Sequence, residues 1–331
     1  MQTTLIITID VEEEGLFRGV YRSHGNAVEN TRGIERFQAL CDHYGVRPTY
    51  LVDASVVEDE RSVALLRGFQ DDGRCEVGAH LHPWCTPPYE EEISRRNTFM
   101  CNLPAELQRE KLTWLTKVIE KQFGRRPTSF RAGRNGLDII GARILYELGY
   151  IVDSSVLPLS DLSAEGGPNF INAPYTPYYV EGDDLCEAHS AGFLLEVPFS
   201  VGVSWLNFDR ARRVQALRTW APLRSIYPGR ILSRLGIAWR IYFTPESVTH
   251  AVWMRRLVNL YRTQGSPCMV MGLHSSSLLA GYSPYVPNAK RLERLYQNLS
   301  DTFEYCLGRR GMVSRTLTEF AQVYTQGDEY R

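Results

Sequence analysis

The stretch Thr4-Leu5-Ile6-Ile7-Thr8-Ile9-Asp10-Val11-Glu12 opens the chain with an apolar, β-branched run that ends in two carboxylates. A run of this length and composition reads as a buried strand. A helical pattern follows, with Ile34, Phe37, Cys41 and Tyr44 at helical spacing, Asn30 or Thr31 placed to cap it and Gly45 placed to stop it. Val46 to Asp53 reads as a second strand, Val63 to Phe69 as a short helix and Cys75 to His80 as a third strand. Pro104 opens a periodic helix through Leu107, Leu115, Val118 and Phe123, closed by Gly124. Further strands are expected at Thr128 to Ala132, Tyr150 to Asp153, Phe193 to Phe199 and Cys268 to His274, and helices around Ile139 to Leu148, Val248 to Tyr261 and Leu292 to Leu307. Strands alternating with helices predict an α/β fold around a parallel sheet, either open or closed into a barrel.

Composition narrows the class. With 331 residues, 44% hydrophobic and 23% charged, the chain is an ordinary folded protein, long enough for one large domain or two smaller ones. No repeat of fixed period and no low-complexity linker divides it, so a single domain over residues 1–325 is expected. Lys plus Arg number 37 against 38 Asp plus Glu, a net charge of -1, and no nucleic-acid partner is expected from that balance. No apolar run reaches the roughly 18 to 20 residues of a membrane span. The N-terminus shows no basic n-region and no small-residue cleavage site. Seven cysteines, an odd number without a CxxC pair, argue against a disulfide framework, and the expected location is cytoplasmic.

One interval breaks the rhythm. Between Asp153 and Cys268 the chain reads as a long insertion, about residues 160–266, with a single clear strand. Within it Phe208 to Pro245 carries eight arginines (Arg210, Arg212, Arg213, Arg218, Arg224, Arg230, Arg234, Arg240) against one acid, Asp209. Such a stretch is either a solvated helical face or an anion-facing surface. Guanidinium groups pair well with phosphate oxygens, so a phosphate-bearing ligand is one that this stretch suggests. Trp205, Trp220, Trp239 and Phe243 lie in or beside it, either to meet an apolar carrier at a membrane surface or to pack the insertion onto the main body.

Polar residues at strand ends carry the chemistry. The first strand ends Asp10-Val11-Glu12, the third runs into His80-Leu81-His82, and the late one ends at His274. In parallel α/β folds the C-terminal strand ends form the site face, where residues distant in sequence converge. A period of two puts Asp10 and Glu12 on one side of an extended chain, and His80 and His82 likewise. One carboxylate could bind a cation while the other accepts a proton, and both imidazoles could reach one metal. Taken singly D-x-E is weak, since strand-end acids also cap helices and Glu13 and Glu14 extend a plain acidic run; H-x-H is moderately specific, and a lone histidine such as His274 is more often a structural hydrogen-bonder. The combination, in this order, is far more specific.

Taken together these stretches resemble the polysaccharide deacetylase superfamily, the NodB-homology or carbohydrate esterase 4 proteins, in a branch whose first motif is D-x-D/E. Five motifs carry the resemblance, in the family's order, from residue 1 to about 280. They are Thr8-Ile9-Asp10-Val11-Glu12, Gly78-Ala79-His80-Leu81-His82-Pro83-Trp84, Ser129-Phe130-Arg131-Ala132-Gly133-Arg134, Asp153-Ser154-Ser155 and Gly272-Leu273-His274-Ser275-Ser276. The resemblance implies a distorted (β/α) barrel of about seven strands with the long insertion before the last motif. It implies metal-assisted removal of an N-acyl group, usually acetyl, from an amino sugar, with a divalent cation such as Zn²⁺ as cofactor. By motif position Asp10 would be the general base, Glu12, His80 and His82 the metal ligands, and His274 the acid that protonates the leaving amine. Arg131 would hold Asp10 ionised, and Asp153 would pair with a catalytic group such as His274. The family's second motif usually spaces its histidines four apart, whereas residue 84 here is Trp84.

The expected substrate is an amino sugar linked to a nucleotide or lipid carrier, used in glycan or envelope polysaccharide synthesis, with peripheral membrane contact. The alternatives are a deformylase or other amide hydrolase on the same fold, and a catalytically silent carbohydrate-binding protein.

Overall fold

Alternation along β1 (Thr4–Val11) sorts its side chains between two environments. Leu5, Ile7, Ile9 and Val11 enter a core shared with outer helices, whereas Ile6 joins a second core with Leu317, Phe320 and Ala321. Thr8 and Asp10 share the face of Ile6, so one face of a single strand runs from apolar to ionisable. The structure is a computed structural model and describes residues 2–204, 207–211, 213, 240–246 and 251–328.

Strands are numbered in chain order. β10 (Cys268–His274), β1, β2 (Thr49–Val52), β3 (Glu76–Leu81), β4 (Ser129–Ala132), β5 (Val152–Asp153) and β7 (Leu194–Glu196) lie side by side in that sequence, each parallel to its neighbour. β6 (Tyr178–Val180) adds an antiparallel edge against β7, and β11 (Val313–Ser314) pairs with the start of β1. The sheet curls into a half-barrel, the distorted (β/α) barrel that the alternation and motifs predict, with eight of its nine strands mutually parallel and only β6 reversed. An antiparallel ribbon, β8 (Val201–Val203) with β9 (Arg240–Tyr242), bridges the open side. Phe199 N donates to Val156 O just beyond β5, Ser200 N donates to Val270 O on β10, and Gly272 N of β10 donates to Phe243 O.

Helices α1 (Ile34–Tyr44), α3 (Glu60–Asp71), α4 (Ala105–Phe123), α5 (Ile139–Glu147), α6 (Ala251–Thr263) and α7 (Ala289–Phe303) cover the outer face. Their apolar stripes, such as Leu112, Leu115, Ile119 and Phe123 of α4, are fully buried, each side chain contributing about 1.5–3 kcal/mol. α8 (Leu317–Asp328) plugs the inner face at the N-terminal end of the strands. That plug leaves the opposite, C-terminal end of the inner face for polar groups. A short helix, α2 (Ala54–Val57), is capped by Asp53, whose Oδ1 accepts from Val56 N at 2.8 Å.

Three expectations need correction. Neither Asn30 nor Thr31 caps α1: Asn30 donates from Nδ2 to Glu12 O and Thr31 from Oγ1 to Val28 O, while a 3-10 turn over Glu29–Gly33 leads into the helix. Gly45 does stop it, in the left-handed conformation at φ 66. The interval 160–266 is partly built into the sheet, through β6 and β7. Phe243 is fully buried in the main core, so of its two expected roles it takes the packing of the insertion onto the main body. Of the arginine-rich stretch, Arg210 and Arg213 are exposed, and Arg240 is committed to Ser160 Oγ at 2.8 Å and Leu159 O at 3.3 Å. Arg212, Arg218, Arg224, Arg230, Arg234, Trp205, Trp220 and Trp239 lie outside the described residues.

Candidate metal centre and active site

Sheet register assembles the site. Asp10 stands directly across from His274, and His80 across from Arg131. In-register residues of parallel neighbours face the same way, so these side chains rise together on the inner face. With Glu12 and His82 they line one cavity of about 290 Å³. The loop after Glu12 folds back over it, Phe17 lying edge-on to His274 with ring centres 5.1 Å apart.

Glu12, His80 and His82 converge as a buried group. Glu12 Oε2 is 3.5 Å from Nε2 of each histidine. The far nitrogens fix the tautomers. His80 Nδ1 is 2.9 Å from Arg131 O, and a carbonyl only accepts, so Nδ1 carries the hydrogen. His82 Nδ1 lies 2.8 Å from Glu13 Oε2 and donates to that carboxyl. Each imidazole, when neutral, therefore presents its Nε2 lone pair toward Glu12 and is anchored from behind as metal-binding histidines are. Two imidazole nitrogens and one carboxylate oxygen with room beyond them suit a divalent cation such as Zn²⁺. Burial lowers the His82 pKa to about 4, with His80 adding to the effect, and a neutral imidazole is what a metal requires. Burial also opposes charge on His80, but Asp10 and Glu12 outweigh it and raise its pKa. The negative site thus calls for a positive partner.

Trp84 packs behind the second of these histidines. Its ring stacks on His82, centroids 4.4 Å apart, and its Nε1 donates to Glu13 Oε1 at 2.6 Å. Behind it Glu13 N donates to Asp53 Oδ2 at 3.1 Å. Burial raises the pKa of Asp53 well above the usual carboxylate range, with the Glu13 charge adding to it, and burial raises Glu13 as well. Glu13, Asp53, His82 and Cys85 form a second group whose potential ligand atoms lie close together. Its members already bond one another, so it supports the first group from behind.

On the other side of the cavity Asp10 Oδ1 receives Arg131 Nη1 at 2.8 Å. Burial raises the Asp10 pKa, but Arg131, His80 and His274 together outweigh it and bring it below its ordinary value. Arg131 is itself held by Ser154, through its carbonyl at 2.9 Å and its hydroxyl at 3.1 Å. His274 pairs with Glu246: Nδ1 lies 2.9 Å from Oε2, and the backbone N donates to Oε1 at 2.9 Å. Burial lowers the His274 pKa, but Glu246 and Glu12 outweigh it and raise it to about 10.

Asp153 does not reach this cavity. Val152 packs in the inner core, so by the period of two Asp153 faces outward, in register with Glu196. Its Oδ1 accepts from Ser155 Oγ at 2.6 Å, and that hydroxyl in turn receives Ala132 N at 2.8 Å. The partnership expected between Asp153 and His274 is thus made by Glu246. Sequence reasoning missed Glu246, Glu13 and Asp53. The rule that singled out Asp10 and His80, a polar residue closing a strand, would also have selected Asp53.

The half-barrel is a fold that this chain shares with solved polysaccharide deacetylases. A Mycobacterium smegmatis protein assigned as a polysaccharide deacetylase superposes with a TM-score of 0.55 at 14% identity, over 98% of this chain and 91% of that one. A Parabacteroides distasonis protein assigned as a glycoside hydrolase/deacetylase gives 0.62 at 13% identity, over 98% and 72%. A PuuE allantoinase gives 0.50 at 14%, over 97% and 88%. No protein-family model and no curated protein matches the sequence. Among the described residues no helix is long and apolar enough to cross a membrane.

Proposed function

We propose that this chain is a metal-dependent hydrolase that removes an N-acyl group from an amino sugar, the whole chain acting as one catalytic domain. The observation that carries the reading is the meeting, in one cavity, of a cation-ready Glu12–His80–His82 group with an ionised Asp10 and a protonated His274. A binding module needs no such acid–base pair.

A divalent cation held by Glu12, His80 and His82 would supply a Lewis acid for the acyl oxygen and lower the pKa of water. Asp10, kept ionised by Arg131, takes a proton from the attacking water. Arg131 fixes the carboxylate's direction while Ser154 fixes Arg131. His274, kept protonated by Glu246, delivers a proton to the departing amine nitrogen. Base and acid stand in register on neighbouring strands, which suits proton removal on one side of the amide and proton delivery on the other. Phe17 packs its ring edge-on against the acid.

The substrate class rests on the likeness in fold to deacetylases, and a carrier-linked sugar of glycan synthesis is the form we favour. The likeness to an allantoinase supports a second reading, hydrolysis of a non-sugar amide by the same groups. The test is purified protein, metal content by elemental analysis, and acid release from N-acylated sugars, sugar nucleotides and small amides. Metal bound in proportion to protein and acid released only with metal present support the proposal. Sugar binding without acid release would leave a binding protein.

A further inference from the structure

We infer that this enzyme takes an acyl group longer than acetyl, seated in a second cavity beside the catalytic pair. The inference rests on the N-deacylase reading and specifies its substrate. The cavity has a volume of about 350 Å³, with Asp10, Arg131 and His274 at its inner end. Leu157, Phe199, Tyr242 and Tyr285 form its walls. Its floor is the backbone of Gly272, where an added Cβ would fall 2.2 Å from Phe199 Cε2. Glycine at this position leaves room for the edge of the phenyl ring to press against β10 beside the cavity.

Size and polarity together choose the occupant. A cavity of about 150 Å³ accommodates benzene, so an acetyl methyl would leave most of this one unfilled. Several of the polar groups at its edge are already engaged. Asp10 holds Arg131, Asn135 Nδ2 donates to Ser155 O at 2.9 Å, and both Glu246 oxygens serve His274. A sugar ring here would leave those of its hydroxyls that face Leu157, Phe199 and Leu273 short of partners, which is costly. A hydrocarbon tail has no such need and gains from leaving water. The cavity on the metal side, with Tyr21, Trp84 and Arg134 in its walls, is left for the polar part of the substrate.

The reaction is hydrolysis whatever the tail. The water oxygen bonds to the acyl carbon, the C–N bond breaks, its electron pair leaves with nitrogen, and nitrogen takes a proton. The tail departs as a carboxylic acid of four to eight carbons.

The test compares N-acetyl-, N-hexanoyl- and N-octanoylglucosamine as probes with the metal-loaded protein, together with titration calorimetry of acetate and hexanoate. Each buried methylene strengthens binding about fourfold, so kcat/KM for hexanoyl should exceed that for acetyl by at least about tenfold, and hexanoate should bind correspondingly tighter. Leu157→Trp should lower the hexanoyl-to-acetyl ratio, and Leu157→Ala should raise the octanoyl-to-hexanoyl ratio. These opposed shifts separate pocket size from folding damage. Acetyl cleaved as fast as hexanoyl, or acetate bound as tightly as hexanoate, overturns the inference and leaves the deacylase reading standing. No acid from any probe, with hexanoate still preferred, overturns the deacylase reading on these sugars while the pocket's preference survives.

Discussion

Glu246 holds His274 at two points, its Oε2 2.9 Å from the ring Nδ1 and its Oε1 accepting the backbone N–H at 2.9 Å. One carboxylate thereby sets both the charge of the imidazole and the position of the strand end that carries it. The consequence is a pH profile. His274 acts as an acid only while protonated, and although burial lowers its pKa, Glu246 and Glu12 raise it to about 10. The alkaline limb of kcat should therefore fall near pH 10. In Glu246→Gln the pKa drops toward the ordinary histidine value of about 6.5, the limb moves down with it, and turnover at pH 8 falls at least about tenfold. Asp10 works as a base only when ionised and its pKa is lowered, so the acid limb should lie below the usual carboxylate range. A steady-state profile from pH 3 to 11 reads both limbs, and an alkaline limb unmoved in Glu246→Gln would remove His274 from the acid role.

Metal binding and proton transfer should separate by mutation. His80→Ala deletes one of three ligands, so metal content and activity should fall together. His274→Ala should keep its metal and lose about a hundred- to ten-thousand-fold in turnover, the usual contribution of a general acid. Glu13→Gln weakens the anchor behind His82 and should reduce metal affinity about 10–100-fold, the effect typical of such supporting partners. Elemental analysis beside kcat on each variant makes the distinction. Near-normal turnover in His274→Ala would leave the proton to another group.

Much of this site was legible because it follows strand periodicity. Alternation along β1 sends Ile6 inward to α8 and Ile7 outward, so Asp10 and Glu12 had to fall on the inner face, and the motif order supplied the rest. Glu246 was not legible. It lies just past β9, in a stretch without periodicity, and reaches His274 only because the β8–β9 ribbon crosses the open side of the half-barrel. Asp153 misled for a related reason: β5 contributes two residues, too few for alternation to show which face its carboxylate takes. Asn30 has a good capping side chain, but a tertiary bond to Glu12 O claims it.

Two motif glycines are spacing elements, with separable effects. A Cβ on Gly133 would lie 2.2 Å from His82 Cδ2 and 2.7 Å from Leu81 O. Gly133→Ala should displace the ligand ring and lower metal affinity along with activity. A Cβ on Gly78 would meet Ser129 Oγ at 2.2 Å and Ser129 O at 2.9 Å, between β3 and β4. Overpacking of this kind costs about 1–3 kcal/mol, so Gly78→Ala should lower the unfolding midpoint. Calorimetric melts beside metal titrations test the contrast, and a Gly133→Ala protein with native metal affinity would show that His82 can retreat without loss.

Lys111 ties the turn after His82 to α4. Its Nζ, fully buried, donates to Pro83 O at 2.9 Å, Thr86 O at 2.6 Å and Pro88 O at 2.6 Å, and lies 3.0 Å from the buried Glu91 carboxylate. Lys111→Met fills most of the same volume but leaves three carbonyls without their donor and Glu91 without its counter-charge. Removing one member of a buried pair costs about 3–5 kcal/mol, and denaturant unfolding should show a loss of that size. The turn also carries Trp84, which stacks on His82, so metal affinity should fall as well. Lys111→Met combined with Glu91→Gln removes the stranded charge and should recover part of the stability. The carbonyls remain unpaired in the double variant, so the turn stays loose and metal affinity should stay low. Full recovery of metal affinity along with stability would mean that the ammonium serves the Glu91 charge alone and does not hold the turn that presents His82.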